Sequence, residues 1–247
     1  MKLSSRALKA KARQTLAGKY STAIGALVLT DLIYVLMIYF FVPVNLGGSL
    51  SLISTVCNLI VLFLTVILLA GTNFLYLNFA RGDNYRISQI FYAFSHHPDR
   101  VILITVALFA VYLLCLLPSI LVFVFVLTAH AIGGLNFAST VVILAVAAVL
   151  SLLLIFAIAL KFSMVFYLYI DHPELNWLQL LNESRRLMRG SQLRYIRLML
   201  SFLGMLLLCV LSLGLALLWV IPYISMTNTY FYLDLSHQQG EFYRAEG

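Results

Sequence analysis

The chain has 247 residues, 63% of them hydrophobic and 10% charged. A soluble domain carries roughly 45–50% apolar and 25% charged residues, so too little polar surface is present to cover a water-soluble globule, and the chain reads as an integral membrane protein. Its net charge of +7, from 16 Lys and Arg against 9 Asp and Glu, comes with no nucleic-acid-binding motif. It lies beside long apolar segments, where basic residues set orientation and meet anionic headgroups, and no nucleic-acid partner is expected.

Residues 1–20 carry Lys2, Arg6, Lys9, Lys11, Arg13 and Lys19 and no acid. Leu3, Ala7, Leu8, Ala12, Thr15 and Leu16 recur at helical spacing. This predicts a basic amphipathic helix on an anionic leaflet, capped by Ser4 or Ser5 and ended by Gly18. Residues 21–247 are expected to form a single transmembrane bundle. Apolar segments at about 21–42, 50–80, 101–128 and 139–170 are each long enough to cross a hydrocarbon core ~30 Å thick as a helix. The last segment, 195–233, would reach nearly 60 Å as one helix, about twice that thickness. Ser212, Gly214 and Pro222 offer breaks, so two spans at 195–213 and 215–233 are expected. The fold class is then an all-α membrane protein of six spans, or five if the last segment is continuous.

Of the 16 Lys and Arg, six fall in 1–20, three in 81–100 and five in 171–197, while the links near 43–50 and 129–138 hold no charge. The positive-inside rule places the N-terminus and both basic loops in the cytoplasm, and six spans return the C-terminus to the same side. Within those loops, Ile87, Ile90, Phe91 and Phe94 form one amphipathic stripe. Leu175, Leu178, Leu181 and Leu187, beside Trp177, form another, opposed by Asn182, Glu183, Arg185, Arg186 and Arg189. Pro173 suits the first turn of that second helix, with Asp171 or His172 at its cap. A threefold repeat emerges: a basic amphipathic helix, an outgoing span, and a returning span ending in aromatics at Phe74–Leu77, Phe166–Tyr169 and Tyr230–Leu233.

Two charges stand inside spans. Asp31 lies 11 residues past Tyr20 and Lys161 lies 10 before Asp171, which puts both some 15 Å from the cytoplasmic face. Equal depth and opposite sign suit an intramembrane ion pair, either structural or the centre of a coupled transport site. Asn58, Asn73 and Asn78 give the second span polar positions for interhelical hydrogen bonds or a polar path. Arg185, Arg186, Arg189, Arg194 and Arg197, with Lys9 and Arg13, are candidates for contact with phosphorylated headgroups or an acidic membrane partner. Plain topology determination explains the same arginines without a ligand. His96 and His97 are adjacent on a loop without a third ligand at helical spacing, and Cys57, Cys115 and Cys209 are isolated in apolar segments, so no metal or cofactor is expected. No nucleophile elbow, metalloprotease helix, phosphate-binding loop or dinucleotide fingerprint is present, and no catalytic residue is assigned.

These residues together resemble a known family. The opening Ser4-Ser5-Arg6-Ala7-Leu8-Lys9-Ala10-Lys11-Ala12, continuing through Leu16-Ala17-Gly18-Lys19-Tyr20, is similar to the bacterial integral membrane proteins of the domain-of-unknown-function 975 group. So are Phe162-Ser163-Met164, Tyr169-Ile170-Asp171-His172-Pro173, Glu183-Ser184-Arg185-Arg186-Leu187-Met188-Arg189-Gly190 and Leu218-Trp219-Val220-Ile221-Pro222-Tyr223. The likeness departs in the middle, where Pro118-Ser119 is separated from Phe162-Ser163-Met164 by a longer apolar stretch. It implies a multi-spanning bacterial plasma-membrane protein and brings no established activity. The layout is also similar to membrane domains attached to some glycerophosphodiesterases, an analogy pointing toward lipid. The reading is a non-enzymatic scaffold or accessory protein contacting anionic headgroups or a membrane partner. The alternative is a small transporter or lipid-handling protein with a polar site near Asp31 and Lys161.

Overall fold

The computed structural model describes residues 3–41, 50–134 and 136–246, and their regular structure is entirely helical. The helices are α1 (Ser5–Leu16), α2 (Tyr20–Phe41), α3 (Leu50–Arg81), α4 (Tyr92–Ser95), α5 (Pro98–Ala131), α6 (Phe137–Phe162), α7 (Val165–Asp171), α8 (Trp177–Leu187), α9 (Gln192–Leu200), α10 (Leu203–Leu211) and α11 (Leu217–Glu246), with a 3₁₀ segment at Ile87–Phe91. Five stretches are long and apolar enough to cross a membrane: Tyr20–Phe40, Ile53–Arg81, Pro98–Ala131, Phe137–Asp171 and Gln192–Leu211. The uncharged link expected at 43–49 lies outside the described residues.

Two of the long segments are interrupted at serines that bond back to the preceding turn. The fourth span pauses at Ser163–Met164 between α6 and α7, and Ser163 turns its hydroxyl back to the Leu160 carbonyl at 3.0 Å. The fifth pauses at Ser201–Phe202, where the Ser201 hydroxyl does the same to Leu198. Such back-bonding offers the carbonyl an alternative to the helical ladder. The expected break near Gly214 is present. Leu213 and Gly214 take φ of 51° and 90°, a left-handed pair that ends α10 and turns the chain into α11.

α11 covers the sixth expected span but is more polar than the other five, holding Thr227, Asn228, Thr229 and Asp234 among its tyrosines. Its position explains this composition. Tyr223, Met226, Thr227, Thr229, Phe231, Tyr232 and Leu235 are all buried, and the helix packs against α1, α2 and α3. A helix sheathed by protein needs no uniformly apolar surface. The opposite case is the α5–α6 hairpin. These helices pack chiefly on each other and leave Leu121, Phe125, Val142, Leu150 and Leu152 more than half exposed, the condition of side chains that face lipid.

The threefold arrangement is visible in the packing. Each short element rests on the returning helix of the preceding unit: the 3₁₀ segment on α3, α8 on α7, and α1, closing the cycle, on α11. The three returning helices meet at the centre. There Tyr167 and Tyr232 stack with ring centroids 5.1 Å apart, and the Thr229 hydroxyl donates to the Tyr167 oxygen at 3.4 Å.

α1 is capped as expected, with the Ala7 N–H donating to the Ser4 hydroxyl at 3.2 Å and Gly18 at φ 79° beyond its end. Its apolar stripe, however, faces protein: Leu8, Ala12 and Leu16 are completely buried against α11, α3 and α9. The second short element is likewise drawn inward. Gly71 of α3 approaches so closely that a Cβ there would stand 1.8 Å from the Ile90 carbonyl oxygen, so the 3₁₀ segment wedges between α2 and α3.

Candidate basic headgroup site

The basic cleft starts from the way α8 is fixed. The helix begins at Trp177, later than the Pro173 start suggested by the sequence, because Asn176 forms a capping box with Gln179. Such a box satisfies two orphan N–H donors at once, and Pro173 falls in the preceding turn, where its carbonyl accepts from Arg100. Leu180, Ser184 and Leu187 form the buried stripe in place of the Leu178-containing one, since Leu178 is 55% exposed. Ser184 also donates to the Lys161 carbonyl at 3.1 Å, tying α8 to the last turn of α6.

With that face fixed inward, helical geometry turns Asn182, Arg185 and Arg186 outward. Gly190, at φ 77°, reverses the chain so that Arg189 and Gln192 close the other side. Lys161 completes the wall from α6. Among the described residues these six line a cleft of about 460 Å³, and none of them is a carboxylate. Glu183 lies 3.4 Å from Arg186. Among the described residues Lys161, Arg185 and Arg189 form no ion pair. The first turn of α9 opens here, and Ser191 supplies no side-chain cap to its N–H groups, which adds positive potential at the same place.

The other expected contacts go elsewhere. Arg194 turns inward to an ion pair with Asp234, whose other carboxylate oxygen accepts from the Leu3 N–H at 3.3 Å. Arg194 sits four residues before the buried Leu198, a spacing that marks the inner face of α9. Arg197 is exposed but does not line the cleft. Lys9 donates to the Ser201 carbonyl at 2.8 Å and lies 3.9 Å from the Phe202 ring centroid. Its pKa is lowered by burial and then by neighbouring Arg13. Arg13 joins Tyr20, Met205, Trp219, Val220 and Tyr223 around a smaller hollow of about 200 Å³.

Asp31 and Lys161 are not brought together. α2 packs on α3, α11 and the 3₁₀ segment, whereas α6 packs on α5, α8 and α9, and no ion pair joins the two residues. Asp31 is exposed on α2. The three asparagines do not converge either. Asn58 donates to the Ser54 carbonyl within its own helix, while Asn78, 20 residues on along α3 and so about 30 Å away, is buried. A second charged cluster went unassigned in the sequence. Arg81 holds both Asp171 carboxylate oxygens at 2.7 Å, and the Tyr232 hydroxyl donates to the same carboxylate at 2.8 Å. It joins the C-terminal ends of α3 and α7 to the middle of α11, and no linear spacing marks it.

No curated protein and no solved structure matches the chain. A family profile described as "Protein of unknown function (DUF975)" matches residues 1–239, from the opening basic helix into α11, and the chain belongs to that family.

Proposed function

We propose that this protein is a non-enzymatic, multi-spanning plasma-membrane protein of bacteria that holds anionic lipid headgroups at its basic end, as a scaffold or accessory component. The observation that carries this reading is the cleft of Lys161, Arg185, Arg186 and Arg189, with no acid among its described lining residues. Phosphate oxygens accept charge-assisted hydrogen bonds from guanidinium groups in paired geometry, and Lys161 rises from the end of a membrane-spanning helix to the same point. Positive-inside topology sets this end, and both termini, at the cytoplasmic leaflet.

Lipid retention tests the reading. Full-length protein released from mixed phosphatidylglycerol and phosphatidylcholine micelles is weighed intact by native mass spectrometry. Phosphatidylglycerol adducts are expected to dominate and to fall in the Arg185→Gln, Arg186→Gln, Arg189→Gln variant. Equal retention of the two lipids by the unmodified chain would contradict the proposal.

A further inference from the structure

We infer that the cleft selects lipids whose head ends in an unesterified phosphate, a phosphomonoester or diphosphate, over singly charged phosphodiester heads. The inference rests on the headgroup reading and narrows it. Charge comes first. Four cations line the cleft; Glu183 is turned toward Arg186, and among the described residues Lys161, Arg185 and Arg189 form no ion pair, which leaves three positive charges for a ligand to meet. A phosphodiester supplies one negative charge. A phosphomonoester, whose second pKa is about 6, supplies about −1.5 to −2 at pH 7 with three terminal oxygens. The donors match that demand: Arg185 and Arg189 can each present a planar fork, Lys161 a compact ammonium, and Asn182 and Gln192 neutral amides.

Size and direction favour a lipid over a free ion. A volume of about 460 Å³ exceeds what one oxyanion fills and falls in the range of roughly 300–1,000 Å³ common to small-molecule sites. Below Lys161, at helical spacing on α6, lie Leu154, Leu153 and Leu150, exposed by 47%, 59% and 62%. They form an apolar stripe leading away from the ammonium along the span. A head bound in the cleft therefore has its acyl chain directed along α6.

Competition between lipids decides the matter. Full-length protein is presented with equimolar phosphatidic acid and phosphatidylglycerol and analysed intact by native mass spectrometry. Phosphatidic acid is expected to be retained about tenfold over phosphatidylglycerol at pH 7.5, the equivalent of about 1.4 kcal/mol. The ratio should fall toward one at pH 5.5, where the monoester dianion takes up one proton and becomes singly charged. Arg185→Gln with Arg189→Gln should abolish the preference, Arg185→Lys with Arg189→Lys should retain part of it, and Arg197→Gln, outside the cleft, should leave it unchanged. Equal retention of both anionic lipids, each above phosphatidylcholine, would overturn the inference and leave the general headgroup reading intact. Retention of neither above phosphatidylcholine would overturn both. Displacement of phosphatidic acid by an equal concentration of inorganic phosphate would show a site for a soluble anion and overturn the inference.

Discussion

Single residues hold this fold where polar or backbone groups approach without slack. Gly71 lies against the Ile90 carbonyl closely enough that an added Cβ would need the two backbones to separate. Overpacking of a tight contact costs typically 1–3 kcal/mol and occasionally more, so Gly71→Ala should lower the unfolding temperature measurably in detergent. Gly204→Ala meets open space and should leave it nearly unchanged. Asp234 is the second such point. It is 8% exposed and receives both Arg194 and the Leu3 N–H. Asp234→Asn leaves a guanidinium largely enclosed without its counter-charge, a change that costs about 3–5 kcal/mol, and denaturant titration should register it. Arg197→Gln, on the exposed side of the same helix, should shift stability by less than about 0.5 kcal/mol.

At the scale of elements, what the sequence made legible was whatever depends on one helix at a time. Ser4 and Gly18 bounded α1 correctly because capping is local. The polar face carrying Arg185, Arg186 and Arg189 followed from a 3.6-residue period. The pairing of Asp31 with Lys161 failed for a definite reason: rise per residue gives depth along a span but neither its azimuth nor its neighbours. The same calculation sets Lys161 about 15 Å inside the span, whereas the structure has it in the last turn of α6 beside the arginines of α8 rather than beside Asp31. Arg194 was grouped with the outward arginines by proximity in sequence, although its spacing from Leu198 already put it on the inner face. The destination of α1 was hidden as well, since a basic amphipathic stripe reads alike whether a leaflet or α11 covers it. Removing residues 1–17 should expose the α11 surface beneath Leu8, Ala12 and Leu16. Size-exclusion chromatography is expected to show loss of monodispersity, whereas Arg6→Gln with Lys11→Gln, both on the exposed face, should leave the elution profile unchanged.

At the scale of the molecule, buried packing and charge are concentrated at one end. The Arg81–Asp171–Tyr232 cluster, the Arg194–Asp234 pair and the basic cleft bring the ends of α3, α6 and α7 and the start of α9 together, the first two against the middle of α11. The opposite reaches of α2, α5 and α6 expose mainly apolar side chains. A rigid basic end on a lipid-embedded shaft suits a protein that reads or organises headgroups, and the cyclic placement of α1, the 3₁₀ segment and α8 supplies the rigidity. The orientation of that end is testable by labelling. With the native cysteines replaced, a cysteine introduced at Gly133 should react with an impermeant maleimide in intact cells, and one at Arg189 should react only after lysis. The most direct measurement is photocrosslinking of the full-length protein in membranes containing a lipid with a diazirine beside its phosphate, followed by peptide mapping. Adducts concentrated at Lys161 and within residues 182–192 are the expected result, and adducts spread evenly over the basic segments, or gathered around Asp31, would contradict the headgroup site.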